Sequence, residues 1–187
     1  RKAILDTVPA AMLAVDYLVQ RPDVDGSRIV MVAGSVGALF APAVVATDTR
    51  LAGAALLFGG GEIQSLLAAN IRQDLGWLTA PAAWLGKILT CPVEPLRHIG
   101  AISPRPVFML NGTEDVGIPP RNSRLLFAAA REPKSQRWLD TGHVVLQDRQ
   151  FHELVNRELV TWLTEQGFVG PDALGEPPPE ATPRQGE

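Results

Sequence analysis

The sequence is poor in cysteine, in excess basic charge and in long apolar runs. Its one cysteine, Cys91, excludes an internal disulfide framework and a cysteine-rich zinc site. The net charge is −3, and nucleic acid and anionic membrane surfaces require clustered lysine and arginine, so neither is an expected partner. No run approaches the roughly 18 apolar residues of a membrane span. We expect a soluble protein, cytoplasmic or secreted, with any targeting signal upstream of Arg1 and an oligomeric state that the sequence leaves open.

The sequence does have enough apolar residues, 46% of 187, to form one sizeable core. Short apolar runs predict four strands, at 28–32, 54–58, 106–110 and 136–139. The first run is continuous and rich in β-branched residues, which predicts a strand buried on both faces. Apolar side chains at helical spacing predict helices at 1–20, 38–46, around 125–130 and at 151–166. Strands that alternate with helices indicate a parallel sheet with right-handed crossovers.

A turn of small residues follows the first predicted strand and carries a serine. The run 33–37 reads Ala-Gly-Ser-Val-Gly and has the small-x-Ser-x-small form of a nucleophile elbow, between a strand and a helix. A serine at the apex of such a sharp turn requires minimal side chains two residues before and after it, here Ala33 and Gly37. The same pattern could also build a plain or phosphate-binding turn. As an elbow, it makes Ser35 a nucleophile and the backbone N–H of Val36 an oxyanion donor.

An acid and a histidine follow the later predicted strands, as activation of a serine hydroxyl requires. Asp115 lies in the loop after the third strand, and His143 follows the fourth. The carboxyl ends of parallel strands meet at one edge of the sheet, so we expect both side chains near Ser35.

Other residues could take these roles. Glu114 is the nearest rival acid, and Glu62, just past the second strand, is a weaker one. A structural role suits His98, which precedes the acid, and His152, which lies within the last predicted helix. Glu114 and Asp115 together could suggest a metal, but no further ligand follows at suitable spacing, so neither a metal nor a cofactor is expected.

The sequence resembles the α/β-hydrolase superfamily from residue 1 to about residue 168, especially its dienelactone-hydrolase, acetyl-esterase and prolyl-oligopeptidase branches. The segments that carry the resemblance are 25–29, 33–38, 106–119 and Gly142-His143, with serine, acid and histidine in the family's order. The resemblance implies that Ser35 attacks a carbonyl carbon, that His143 moves the proton and that Asp115 orients the imidazole. The family's Gly-x-x-Asp spacing favours Asp115 over Glu114.

The resemblance also implies a fold class and a domain plan. We expect an α/β-hydrolase fold, a mostly parallel sheet flanked by helices, of which this is the C-terminal portion with about four strands. The catalytic domain would span 1–168 with a cap-like insertion at 62–104, and the proline-rich segment 169–187 would be disordered. An upstream part would hold the first half of the sheet and the second oxyanion amide, so the chain alone should be poorly soluble and nearly inactive.

The expected function is that of a serine hydrolase that cleaves a small-molecule carboxylic ester through an acyl-enzyme. A serine peptidase or another acyl hydrolase on the same fold is an alternative, and a noncatalytic binding domain is an alternative of another class. The family often has a larger residue at the position of Gly34. The resemblance therefore implies that the part of the pocket that holds the alcohol group is less filled in this chain. Trp77 and Trp84 in the insertion are expected to line the substrate pocket.

Overall fold

The computed structural model describes residues 2–144 and 147–170. Residues up to Asp148 form one compact unit, which holds the sheet, and residues from Arg149 form a second unit, which holds the last helix. Of the tail predicted to be disordered at 169–187, residues 171–187 lie outside the described residues. No helix within the described ranges is long and apolar enough to cross a membrane.

Four parallel strands form one sheet in the order β1-β2-β3-β4. Their bounds are Val30–Gly34 for β1, Gly53–Leu57 for β2, Val107–Gly112 for β3 and Lys134–Leu139 for β4. Among its described residues, the first unit also contains six α-helices, which are α1 Lys2–Val19, α2 Val36–Thr47, α3 Ile63–Leu75, α4 Thr79–Thr90, α5 Pro95–His98 and α6 Pro120–Ala129. The alternation of strands and helices confirms the predicted α/β architecture with a parallel sheet.

The central strands are buried and the first strand is not. All six residues of β3 and the first four of β2 are buried. The prediction that the first strand is buried on both faces is wrong, because Val32 is 44% exposed and Gly34 is also exposed. β1 lies at the end of the four-stranded sheet and pairs only with β2 within the described chain, so fewer neighbours cover it.

The core joins α1, α2 and the central strands. Helix α2 has no charged residue, and half of its residues are buried, namely Ala38, Ala41, Pro42, Ala43, Val44 and Val45. Val15 of α1, Leu56 of β2 and Met109 of β3 belong to the same cluster. Each fully buried Val, Leu or Met side chain contributes about 1.5–3 kcal/mol. The start of α2, where the predicted nucleophile lies, is therefore fixed by a well-packed helix.

The segment between β2 and β3 is helical. Short 3₁₀ turns at Gly76–Leu78 and Cys91–Val93 join α3, α4 and α5, and a third at Ile99–Ala101 follows α5. This segment contains the predicted insertion at 62–104, whose role as a cap stays a prediction. Glu94 ties the segment together, because its carboxylate accepts hydrogen bonds from the N–H groups of Glu62 and Ile63 at 2.8 and 2.9 Å. The start of α3 is thus anchored beside the start of α5.

The second unit contains helix α7, Arg149–Glu165. After α7, the N–H of Phe168 donates to the carbonyl of Leu163 at 2.9 Å, and the Phe168 ring lies 5.8 Å from that of Trp162. His152, the rival base, lies in α7 with its ring 5.7 Å from that of Phe151.

Candidate active site

Ser35 occupies a single-residue junction between β1 and α2. Its backbone has φ 50° and ψ −119°, and a positive φ costs a residue with a side chain on the order of 1–3 kcal/mol. Two hydrogen bonds hold this conformation, from the Ser35 N–H to Leu57 O at 2.8 Å and from the Ala38 N–H to Ser35 O at 3.0 Å. The buried helix that follows offsets the strain, so the serine projects from a sharp and rigid turn.

The steric demand on the elbow is visible across the turn. A Cβ placed on Gly37 would lie 3.8 Å from the Cβ of Ala33, which is ordinary van der Waals contact. Methyl-sized side chains therefore just fit at both positions, and larger ones would meet each other. This explains why Ala33 can stand where a glycine is commoner.

The side chains of Ser35, His143 and Asp115 form a continuous hydrogen-bonded series. Ser35 Oγ lies 2.7 Å from His143 Nε2, and His143 Nδ1 lies 2.7 Å from Asp115 Oδ2. An ionised carboxylate can only accept, so Nδ1 donates to Asp115 and a neutral imidazole presents Nε2 as an acceptor to the serine hydroxyl. The arrangement can remove a proton from Ser35 and hold it on the imidazole.

Asp115 is fixed by the backbone around it. Its residue is 3% exposed, and its second carboxylate oxygen, Oδ1, accepts a hydrogen bond from the N–H of Ile118 at 2.8 Å. The loops that carry the acid and the base are also joined, because the N–H of Glu114 donates to the carbonyl of Thr141 at 3.0 Å. Both carboxylate oxygens are therefore partnered, and the acid cannot rotate freely.

Two residues that the sequence analysis did not single out pack on the imidazole. A Cβ on Gly117 would lie 3.2 Å from His143 Cγ and 3.4 Å from Asp115 Oδ1, so this glycine lets the acid loop lie close to the ring. On another side, the ring of Phe58 meets the imidazole edge to face, with centroids 6.1 Å apart. The imidazole is held by these contacts as well as by its hydrogen bonds.

Buried polar side chains hold the turn that follows Phe58. The side chains of Asn111 and Ser123 both donate to the carbonyl of Gly59 at 2.9 Å. Asn122 donates to the carbonyl of Gly61 at 2.8 Å and to Ser65 Oγ at 2.6 Å. Since buried backbone carbonyls need such partners, these side chains fix the path of the chain from β2 into α3.

A pocket of about 310 Å³ opens beside Ser35 and His143. Its wall consists of Val36 and Leu39 from α2, Ile63, Leu66, Leu67 and Asn70 from α3, and Gly117 and Ile118 from the acid loop. The four α3 residues recur at i, i+3, i+4 and i+7 and so share one helical face. This spacing is legible in the sequence, but only the structure shows that the face lines a pocket beside the elbow.

Two of the three pocket residues predicted from the sequence do not line this pocket. Gly34 ends β1 and Trp84 is an exposed residue of α4, and neither is part of this pocket wall. Trp77 lies in the 3₁₀ turn after α3, and its side chain lies outside the described residues. Val36 is the first residue of α2 and does line the pocket.

The rival residues have other partners. Glu62 accepts a hydrogen bond from Arg121 at 2.5 Å, and this guanidinium holds the pKa of the Glu62 carboxyl below its usual range. Glu114 is exposed, and His98 bonds the carbonyl of Pro92 at 2.7 Å. Among the described residues no group of three or more His, Cys, Asp or Glu side chains could hold a metal ion.

Sequence comparisons find relatives that match part of the chain. No protein-family model matches the chain. The uncharacterized protein YfhR of Salmonella typhi is 30% identical over 129 residues, which are 69% of this chain and 44% of YfhR. The YfhR of Salmonella typhimurium matches equally. The chain thus spans less than half the length of these curated relatives.

Solved structures show the fold. The α/β-hydrolase GrgF from Penicillium sp. sh18 superposes with a TM-score of 0.65 at 19% identity, over 87% of this chain and 72% of GrgF. A puromycin-hydrolyzing peptidase of Mycobacterium tuberculosis gives 0.66 at 22% identity, over 84% of this chain and 25% of the peptidase. An acetyl xylan esterase from Paenibacillus sp. R4 gives a TM-score of 0.62 at 20% identity, over 86% of this chain and 52% of the esterase. The chain therefore has part of an α/β-hydrolase fold, as its sequence resemblance predicted.

Proposed function

We propose, from this α/β-hydrolase fold and the geometry around Ser35, that the chain carries the catalytic residues of a serine hydrolase that cleaves carboxylic esters. The observation that carries the proposal is the hydrogen-bonded series from Ser35 through His143 to buried Asp115, with 2.7 Å at both steps. A serine, a histidine and an acid in these relations form the arrangement that activates a hydroxyl for attack on a carbonyl.

The first half of the reaction acylates Ser35. Ser35 Oγ bonds to the carbonyl carbon as its proton passes to His143 Nε2, and the carbonyl oxygen becomes an oxyanion. The N–H of Val36, at the N-terminus of α2, stabilises this negative charge together with the helix dipole. When the tetrahedral intermediate collapses, the ester bond breaks and the leaving alcohol takes the proton from Nε2.

The second half releases the acid. A water molecule gives a proton to His143 Nε2 and bonds to the acyl carbon, and collapse of this second intermediate breaks the bond to Ser35. The proton on Nε2 returns to Ser35 Oγ, and a carboxylic acid leaves. Asp115 keeps the imidazole in one tautomer and one orientation throughout and stabilises its protonated form.

A peptidase or amide hydrolase is the second candidate, and the likeness to the puromycin-hydrolyzing peptidase favours it. The same residues would serve both reactions, because only the leaving group differs. Parallel assays with p-nitrophenyl esters and with matched p-nitroanilides separate the two. A peptidase should cleave the anilides as well as the more reactive esters, whereas an esterase should cleave the esters alone.

Covalent labelling tests the proposal itself. A fluorophosphonate reacts with activated serines, so we expect labelling of the protein at Ser35, found by mass spectrometry of the labelled peptide. Ser35→Ala should abolish labelling and lower ester turnover about 10⁴-fold or more, whereas the exposed Ser27→Ala should change neither. Labelling that persists in Ser35→Ala would overturn the assignment, and a complete lack of labelling would favour a noncatalytic binding domain.

A further inference from the structure

One face of α3 supplies most of the wall of the pocket beside Ser35. Ile63, Leu66 and Leu67 present aliphatic side chains to it, and Leu39 and Ile118 add two more from neighbouring elements. The polar groups of Ser35 and His143 lie where the reaction would take place. The remainder of this wall is thus suited to an apolar part of a substrate.

The amide of Asn70 offers this pocket no free hydrogen-bond donor. Its Nδ2 donates to Leu66 O at 2.8 Å and to Gly117 O at 2.9 Å. Apart from His143, no residue that lines the pocket has an acidic or basic side chain. A carboxylate that entered would lose hydration without gaining a hydrogen-bond donor from this wall, and an ammonium would gain at most the neutral side-chain oxygen of Asn70. Burying either charge in this way is costly.

The part of α3 that faces the pocket is held by hydrogen bonds at both ends. Glu94 accepts the N–H of Ile63 at 2.9 Å at the start of α3. Seven residues later, Asn70 ties the helix to Gly117 of the acid loop, the residue that packs on His143. The aliphatic face therefore keeps a constant position relative to the catalytic residues, as selectivity for substrate size requires.

Leu67 is backed by a glycine of the next helix. A Cβ on Gly86 of α4 would overlap Leu67 Cδ1. A glycine within a helix costs about 1 kcal/mol relative to alanine, and here it gives the leucine room to lie against α4. Any group added at position 86 would push the flexible end of Leu67 away from α4.

We infer that this pocket binds an uncharged, short to medium aliphatic group of the substrate and that Leu67, seated on Gly86, determines the length accepted. The inference rests on the proposed function. The volume of about 310 Å³ lies at the lower end of the roughly 300–1,000 Å³ typical of small-molecule sites. The aliphatic group can belong to the acyl or to the alcohol part of the ester, since both have the same chemistry.

Two substrate series test the inference and distinguish these sources. One series varies the acyl chain from acetate through butyrate and octanoate to palmitate with p-nitrophenol as the constant leaving group. The other varies the alcohol from methanol through butanol to octanol with a constant acetyl group. We expect kcat/KM to peak at butyrate or octanoate in the first series or at the matching alcohol in the second, and the series that peaks identifies the part bound.

Variants that enlarge the pocket and variants that reduce it should move this peak in opposite directions. Leu67→Ala should raise the octanoate to butyrate ratio of kcat/KM, or the matching alcohol ratio, about tenfold. Leu67→Phe and Gly86→Ala should lower it, because each reduces the space. Leu85→Ala, an exposed leucine beside Gly86 that does not line the pocket, is the matched control and should leave the ratio unchanged.

Several outcomes would overturn the inference. The ratios could be the same in all the Leu67 and Gly86 variants, or the monosuccinate ester could be cleaved as fast as the butyrate. Either result, with fluorophosphonate labelling of Ser35 intact, refutes the aliphatic site and leaves the proposed function standing. Loss of labelling in the unmodified protein instead refutes the proposed function, and the inference with it.

Discussion

Gly117 has the most specific role among the residues that the structure adds to the site. Its Cα lies against His143 and the Asp115 carboxylate, and its carbonyl accepts the Asn70 amide. The acid loop, the imidazole and the wall of α3 therefore meet at a residue without a side chain.

We expect Gly117→Ala to damage turnover more than stability. Its methyl group would come within 3.2 Å of His143 Cγ, so the imidazole must shift by a few tenths of an ångström from Ser35. Small misplacements of catalytic groups cost up to about 10²-fold, and we expect kcat to fall by about tenfold or more with little change in Tm. Gly26→Ala, whose Cβ meets nothing closer than 3.9 Å, is the control. A Gly117→Ala enzyme with full kcat would contradict this role for the glycine.

At the scale of elements, the sequence predicts the four strands and their parallel arrangement, but not where each strand ends. The strand predicted at 28–32 is β1 at Val30–Gly34, because Ala33 and Gly34 pair with Leu56 and Leu57 of β2. Taken locally, two small residues before a serine indicate a turn. Cross-strand pairing, which a single segment does not reveal, extends the strand to the residue before Ser35.

The candidate site also has a part that the sequence predicts and a part that it does not. The positions of Ser35, Asp115 and His143 follow from strand order and chain order, which are legible in a sequence of alternating elements. The pocket wall does not follow: Trp84 stands out in the insertion by its size, yet it is exposed and does not line the pocket. Smaller residues on one face of α3 line the pocket instead. The position of α3 depends on its hydrogen bond to Glu94, which lies thirty-one residues beyond Ile63 in the sequence.

An ion-pair cluster joins α1, the end of α2 and the start of β2. Arg50 donates to both carboxylate oxygens of Asp48, at 2.9 and 2.6 Å, and to Asp16 Oδ1 at 2.6 Å. Asp48 is 3% exposed, and the side-chain hydrogen bond from Arg50 holds its pKa below the usual value of 3.8.

The sign of the pH dependence follows from this lowered pKa. The ionised Asp48 stabilises the folded state above about pH 3.8, and this contribution is lost as the pH falls through the lower folded-state pKa. We expect Asp48→Asn to reduce the free energy of unfolding by about 1–3 kcal/mol near neutral pH, with the difference from wild type narrowing in acid. Urea unfolding of both proteins at several pH values measures this difference in the free energy of unfolding. Asp23→Asn, which breaks an exposed pair with Arg21, should have a smaller effect, and a pH-independent difference for Asp48→Asn would refute the linkage.

At the scale of the whole sheet, the part of the chain that the structure describes leaves one side of β1 unpaired. Within the described residues β1 pairs only with β2, so its other edge offers backbone N–H and C=O groups to a further strand. Val32 adds an exposed aliphatic side chain to the same strand. Exposed apolar edge strands promote association between chains, whereas the polar strand β4 at the opposite end of the sheet is better protected.

We therefore expect residues 1–187, produced as such, to self-associate through β1. A lysine on an edge strand opposes pairing because its charge would be buried against the partner, so Val32→Lys should shift the chain toward monomer. Val116→Lys adds the same charge at a more exposed valine in the acid loop and should leave the association unchanged. Sedimentation velocity at several concentrations measures the distribution. A wild-type chain that is monomeric at every concentration, or an equal effect of both lysines, would show that β1 is not the associating edge.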